Sequence, residues 1–417
     1  MLPWIGGLIV VATIYAIVKR YETRLVLLSS GLLMALIALK PNAAFAQFQT
    51  SMTNAGLIAA ILSVMGFAYV MKLTKCDQHL VQLVAGAVTK FPVGLIPAAT
   101  MATFLINIAL PSAAGVTAAV GAVLIPVMIA AGVNPAVAAA AVFAGSFGSV
   151  MSPGSSHIVM VSKMAKVAEI QTIQQITVPT VVAGVIGAFT LAIIAYFRKE
   201  DRGYKATEVT MHEGFKVNYL KAIVPMLPLI MLVLGTQPTF KSWNITVPTA
   251  MLVGTIVAIV VSWTSPTEVV KSFFDGMGKA YGDVMGIIIA AGVFTAGLKA
   301  IGLIDVLLAN LKGVQGAVGI AGTWGPFLIA VLSGSGDAAT IAFNEAVTPH
   351  AAQFGLTIQE LGNLASLAGS LGRTMSPVAG AAIVAAGIAG VSPVEVAKRN
   401  MPGMIIASIV AFILMGL

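Results

Sequence analysis

Charge and cysteine are both scarce in this sequence. Only 9% of its 417 residues are Asp, Glu, Lys or Arg, against about 25% in an ordinary soluble domain, so it lacks the polar side chains to coat a water-facing globule. The single cysteine, Cys76, excludes an intrachain disulfide and any metal centre built from several thiolates. Four histidines, His79, His157, His212 and His350, are nowhere spaced as HExxH, which removes the common zinc-hydrolase pattern. Lys and Arg number 23 against 15 Asp and Glu, but they stand between apolar runs, where they orient a membrane chain rather than grip nucleic acid.

What the chain does have is hydrophobic sequence, 58% of it, in stretches long enough to cross a bilayer. Apolar runs occupy residues 3–18, 25–39, 55–73, 92–131, 135–162, 172–197, 219–235, 246–264, 284–302, 318–354, 357–390 and 401–417. The expectation is an all-α polytopic protein whose largest partner is the lipid bilayer. Residues 24–47, a basic start, an apolar run and AAFAQ, imitate a cleaved secretory signal, but another apolar run precedes them and argues for retention.

The decapeptide AGSFGSVMSP, Ala144 to Pro153, returns as AGSLGRTMSP, Ala368 to Pro377, with seven of ten positions identical. The chain therefore reads as a tandem duplication. Each copy places Gly, Ser and Pro inside a span, where lipid tolerates no broken backbone, so something other than lipid must meet it. The runs 92–131 and 318–354 are too long for one crossing and are interrupted at Pro111 to Gly115 and at Ser333 to Asp337. Each is expected to be a re-entrant helical hairpin followed by a broken helix, 135–168 and 357–390.

Counting gives about ten full spans plus two hairpins, an odd number of crossings per half, so the two repeats must have inverted topology. They run from 1 to 197 and from 219 to 417, joined by the hydrophilic linker 198–218. With the N-terminus periplasmic, sixteen Lys and Arg fall inside (Lys19, Arg20, Arg24, Lys72, Lys75, Lys90, Arg198, Lys199, Arg202, Lys205, Lys216, Lys221, Lys271, Lys279, Lys398, Arg399). Six fall outside: Lys40, Lys163, Lys166, Lys241, Lys299 and Lys312. This positive-inside bias makes the linker cytoplasmic. Residues 75–90 and 266–283 mix charge with apolar residues and are expected along the interface.

Opposed hairpin tips and broken helices bring half-helix N-termini, with unpaired N–H groups and positive dipole ends, to one place, an arrangement suited to an anion. Ser112 and Ala113 at one tip, and Gly334, Ser335 and Gly336 at the other, permit close backbone approach and offer hydroxyls. The same small residues also suit tight helix packing. Arg373 lies within an apolar run and needs a counter-charge, for which Asp337, Glu345 and a substrate carboxylate are the candidates. The first half has Ser149 where the second has Arg373. His157 is either a protonation switch or a hydrogen-bonded spectator. Gly334 to Asp337 also satisfies the GxGD pattern of intramembrane aspartyl proteases, but that chemistry needs a second aspartate at membrane depth. Asp77, Asp283 and Asp305 all lie near span ends, so an enzyme is not expected.

Three stretches of the second half carry a family resemblance: IAAGVFTAGLKAIGLI from Ile289, SGSGDAATIAFNEAV from Ser333, and GSLGRTMSPVAGAAIVAAGIAGVSPVEVAKR from Gly369. They resemble the DcuC-type anaerobic C4-dicarboxylate carrier family, within the ion transporter superfamily of divalent-anion symporters. The first half is similar more loosely, through SAAGVTAAVGAVLIPVMIAAGV and its own Met-Ser-Pro loop. The resemblance implies inverted repeats, a homodimer in the bacterial inner membrane, elevator-type alternating access, and succinate, fumarate or malate moved by exchange or with cations. It implies a substrate site at Pro111, Ser112, Ala113, Ala114 and Gly115, at Ser152, Pro153, Gly154, Ser155 and Ser156, at Ser333, Gly334, Ser335, Gly336 and Asp337, and at Arg373, Thr374, Ser376 and Pro377.

In sodium-coupled relatives the loops matching Ser152–Ser156 and Ser376–Gly380 hold the cation. Here the tips lack the Ser-Asn-Thr pattern of those relatives, and an acid, Asp337, stands where an amide is common. Asp337, His157 and Glu345 are thus the candidates for proton or cation coupling, and no cofactor beyond such an ion is expected. Another organic anion, or an anion channel, is the alternative. A dianion moving inward meets about 2.3 kcal/mol per charge per 100 mV, so uptake needs co-moving cations whereas exchange of dianions is electrically silent.

Overall fold

Interrupted helices dominate the computed structural model, which describes residues 2–19, 21–88, 94–204, 216–237, 239–306 and 315–415. Arg20, Lys90, Lys205, His212 and Lys312, together with 205–215 of the linker and 92–93 at the start of the first hairpin run, lie outside the described residues. Among the described residues all regular structure is helical. The first half contains α1 (Leu2–Val18), α2 (Thr23–Ile37), α3 (Pro41–Met52), α4 (Ala55–Thr74), α5 (Cys76–Val88), α6 (Leu95–Ala109), α7 (Ala113–Ala130), α8 (Pro135–Ala144), α9 (Ser156–Ala165) and α10 (Glu169–Phe197). After the linker come α11 (Tyr219–Ile223), α12 (Leu227–Leu234), α13 (Val247–Ser262), α14 (Pro266–Ala280), α15 (Gly286–Ala300), α16 (Gln315–Ser333), α17 (Gly336–Ala346), α18 (Ile358–Thr374), α19 (Gly380–Ala389) and α20 (Pro393–Leu414).

Local chemistry sets these boundaries. Asn134 accepts from the Ala136 amide ahead of Pro135, Ser392 accepts from Val394 ahead of Pro393, and Thr357 with Glu360 forms a full capping box. By length and composition, six helical stretches among the described residues can cross a membrane: Ala55–Thr74, Ala113–Ala130, Pro135–Ala165, Glu169–Phe197, Pro266–Ala300 and Pro393–Leu414. Most other apolar helices are shorter.

Three stretches take a form that the apolar pattern alone does not show. The run 219–235 is not one helix, because Pro225 and Pro228 remove amide donors and a 3-10 turn, Val224–Met226, separates α11 from α12. Residues 266–283 are continuous with the run that follows: α14 passes through a π turn, Tyr281–Met285, into α15. The AAFAQ sequence lies within a helix of its own, α3.

The two halves are tied along α10 and α20. A Cβ on Gly403 would sit 3.3 Å from the Gly187 Cα, so these helices touch backbone to backbone. Arg399 in the first turns of α20 holds Glu200, beyond the C-terminus of α10, through Nε at 2.9 Å and Nη2 at 2.6 Å. The helices therefore run antiparallel. The Asn134 amide, just past the α6–α7 hairpin, donates to the Glu200 carbonyl at 2.9 Å. At the other end of α10, Gln359, just past the α16–α17 hairpin, donates to Thr172 Oγ1 at 3.4 Å. The two hairpins thus return to opposite ends of α10, which at 29 residues is about 43 Å long.

Candidate functional site

Both copies of the duplicated decapeptide press glycine against a hairpin. A Cβ on Gly148 would lie 2.1 Å from the Phe104 carbonyl oxygen, and one on Gly372 would lie 2.2 Å from that of Phe327. Gly145 and Gly369 are equally confined, by the Thr100 carbonyl at 2.3 Å and Thr340 Oγ1 at 2.2 Å. These shared glycines serve close packing of helix on hairpin, the reading that small residues always allow.

The copies differ in backbone. The first turns 3-10 over Gly145–Met151, whereas the second stays α-helical to Thr374. Asn107 of α6 accounts for the difference: its Oδ1 accepts the Ser149 amide at 2.7 Å, and its Nδ2 donates to the Leu110 carbonyl at 2.9 Å. The amide thus binds one copy of the motif to the first hairpin tip. Asn107 is three residues past Phe104, and three past Phe327 stands Ala330, which has no side-chain acceptor. The sequence reading missed Asn107, though a lone amide in the run 92–131 was the available signal.

At the first tip α6 stops at Ala109, Leu110 caps it, and Ser112 Oγ accepts from the Gly115 amide at 3.2 Å to start α7 at Ala113 and Ala114. Pro111 shares a small apolar cleft with Ser152 and Pro153, so the tip faces the first break. Gly154 is held there by Val64, which a Cβ would meet at 2.4 Å. Ser155 precedes α9, which begins at Ser156, without a side-chain cap. At the second tip Gly334 has φ +77°, a conformation that favours glycine, and a Cβ there would meet the Val378 carbonyl oxygen at 2.7 Å. Ser335 Oγ accepts from Ala338 at 3.2 Å, and Ser333 Oγ accepts from the Ser335 amide at 3.2 Å. Ser376 Oγ donates to the Val331 carbonyl at 2.6 Å, tying the second break, with Pro377, to the second hairpin. The Thr374 hydroxyl donates to Ser370 of its own helix at 2.7 Å.

The charged groups are arranged across the halves. Arg373 makes no ion pair within 4.0 Å with Asp337, Glu345 or any other described carboxylate. Its Nη1 donates to Ser146 Oγ at 3.2 Å and its Nη2 to the Ser146 carbonyl at 2.9 Å, so a residue of the second copy is held by a neutral residue of the first. Ser146 is fully buried. Asp337 Oδ1 instead meets His157 Nε2 of α9 at 2.5 Å. The His157 side chain is 4% exposed and that of Asp337 59%, so the pair has a buried end and an open end. Glu345 faces a different cavity, with Lys40 and Lys299.

This polarity has no twin in the other half. Ala114 stands two residues past the capping Ser112, as Asp337 does past Ser335, and Ala381 stands four past Pro377, as His157 does past Pro153. α17 packs on α9, and α7 packs on α19, so each hairpin's second arm meets the broken helix of the opposite half. One crossing carries an acid and an imidazole; the other carries two methyl groups.

Comparison with known proteins gives one consistent result. The model of the C4-dicarboxylate anaerobic carrier family matches residues 3–417. An uncharacterized transporter of Haemophilus influenzae is 45% identical over 272 residues, 62% of this chain and 97% of that protein. The anaerobic C4-dicarboxylate transporter DcuC of Escherichia coli K12 is 27% identical over 447 residues, covering 98% of this chain and 95% of its own.

Proposed function

The chain belongs to the DcuC family of anaerobic C4-dicarboxylate carriers, and on that premise we propose that it moves small organic dianions, succinate, fumarate and malate first, across the bacterial inner membrane by alternating access. It is a membrane transporter and not an enzyme. The observation that carries the substrate reading is the Arg373 guanidinium, held on Ser146 by two of its five N–H groups with no carboxylate within 4.0 Å among the described residues. Its remaining donors suit a carboxylate, which guanidinium can grip bidentately. The N-termini of α7, α9, α17 and α19 add positive dipole ends at the two tips and the two breaks.

The inverted repeats proposed for residues 1–197 and 219–417 are supported by two relationships. Equivalent helices α10 and α20 run antiparallel, and the two hairpins return to opposite ends of α10. Inverted halves that exchange hairpin contacts suit an elevator-type motion, in which the tips and breaks travel as one body; the homodimer and periplasmic N-terminus complete this reading. Asp337 and His157 form the proposed coupling pair. A proton held between them offsets one charge of the cargo, and the hydroxyls and carbonyls of the two breaks, Ser152–Ser156 and Ser376–Gly380, are the places a sodium ion would occupy.

Uptake of labelled succinate into proteoliposomes, empty or loaded with unlabelled succinate, with and without sodium and proton gradients, tests the reading. Uptake that needs internal succinate identifies an exchanger, and uptake driven by either gradient identifies a symporter. If no succinate enters under any condition, the substrate assignment fails and other organic anions become the search.

A further inference from the structure

A cavity of about 450 Å³ lies away from the hairpin tips, walled by α3, α15 and α17, with Lys40, Gln47, Thr295, Lys299, Glu345 and Pro349 among its lining residues. Its volume is in the usual range for small-molecule sites. Lys40 precedes α3, Lys299 lies in the last turn of α15, and both are exposed. Neither has a carboxylate within 4.0 Å among the described residues, whereas Lys163, Lys279 and Lys398 are all ion-paired, at 3.1, 2.9 and 2.8 Å.

A second, independent observation points the same way. Thr295 is 5% exposed, and its buried Oγ1 has no hydrogen-bond partner, although buried hydroxyls are ordinarily satisfied. Gln47 donates through Nε2 to Ser51 Oγ at 3.1 Å. Two ammonium groups and a hydroxyl donor on adjacent walls match the charge and hydrogen-bonding needs of an anion bearing carboxylates. Glu345 stands on the wall formed by α17, and α17 begins at the second hairpin tip. Glu345 follows Asp337 by eight residues, about 12 Å along the helix axis. One helix thus carries the cavity at one end and the Asp337 site at the other.

We infer that the cavity is an outer capture site for the transported dicarboxylate, in which Lys40 and Lys299 draw the dianion from water before it reaches the Arg373 site. The inference rests on the transport reading above. Two cations against one carboxylate wall give weak retention, the condition for a site that must both fill and empty. A lysine-lined vestibule acts through local concentration, so its contribution is largest at low salt.

Two measurements separate this site from the transport reading. In outward-facing proteoliposomes, a membrane-impermeant acylating ester should modify Lys40 and Lys299 about threefold more slowly in succinate than in chloride of matched ionic strength, beyond general screening. Ion-paired Lys163 serves as the reference and should not respond. Equal rates in succinate and chloride overturn the inference. So does protection that depends on anionic lipid instead of succinate, which would mark a lipid headgroup site.

In transport, the double variant Lys40→Gln/Lys299→Gln should raise KM for external succinate about tenfold, leave the maximal rate unchanged and flatten the dependence on ionic strength. Glu345→Gln should lower KM. An unchanged KM in the double variant, with active wild-type protein, removes the capture site alone. Wild-type protein that shows lysine protection but moves no succinate removes the transport reading and leaves the site.

Discussion

Arg373 Nη2 donates to the carbonyl of Ser146 at 2.9 Å, so the second copy of the duplicated decapeptide is anchored on the first. The contact lies between halves, and each half contributes what the other lacks: a cation from one and a buried neutral acceptor from the other. Removing either side has separable consequences. Arg373→Ala should abolish succinate uptake with the purified protein still eluting as a folded species, and Arg373→Lys should recover little, because a point charge cannot replace a planar fork. Ser146→Ala removes only the Oγ contact and should lower uptake by about tenfold at most. Aggregated Arg373→Ala protein would assign the residue to structure.

In the proposed coupling, the contact between His157 and Asp337 makes transport pH-dependent. A proton held by the pair offsets the Asp337 charge, and its loss leaves the carboxylate free to repel an incoming dianion. Succinate uptake should therefore fall as pH rises in the wild type. His157→Gln should show low, pH-independent uptake, and Asp337→Asn should retain uptake at high pH. A wild-type profile matched by His157→Gln would exclude the pair from coupling.

Close packing, rather than substrate contact, explains the glycines of the repeated motif. Gly148→Ala and Gly372→Ala each drive a methyl group to within about 2 Å of a backbone carbonyl oxygen, overpacking that typically costs roughly 1–3 kcal/mol. Both should show lower thermal stability in detergent. Gly380→Ala, where a Cβ meets nothing within 4 Å, should be neutral. Equal stability of all three variants would remove the packing explanation.

Glu200 and Arg399 close the cytoplasmic-linker end of the two halves in this reading. Their side chains are 17% and 7% exposed, and a second carboxylate, Glu395, also reaches Arg399, at 3.0 Å. Breaking one partner of a largely buried pair costs about 3 kcal/mol. Glu200→Ala should thus lower the thermal midpoint more than Lys398→Ala, which disrupts an exposed pair.

Sequence alone located the interruptions because clustered Gly, Ser and Pro favour a break whose freed backbone groups lipid cannot satisfy: α6 ends at Ala109 and α7 starts at Ala113, and α16 ends at Ser333 and α17 starts at Gly336. The partners of the charges were beyond it. Pairing Arg373 with an acid followed from charge alone, but its acceptors are a hydroxyl and a backbone carbonyl, and carbonyls leave no trace in a residue list. Asp337 and His157 were each visible, yet their contact depends on how the second hairpin lies against α9. The role of Asn107 depends on the same kind of packing, and the lysine cavity draws on three helices distant in sequence.

Counterflow into succinate-loaded proteoliposomes, with no ion gradient, is the most direct test that Arg373 carries the cargo. Labelled succinate should accumulate transiently with the wild-type protein and with Gly387→Ala, where an added Cβ meets nothing within 4 Å, and not with folded Arg373→Ala. Counterflow by Arg373→Ala at the wild-type rate would contradict a dicarboxylate site built on that guanidinium.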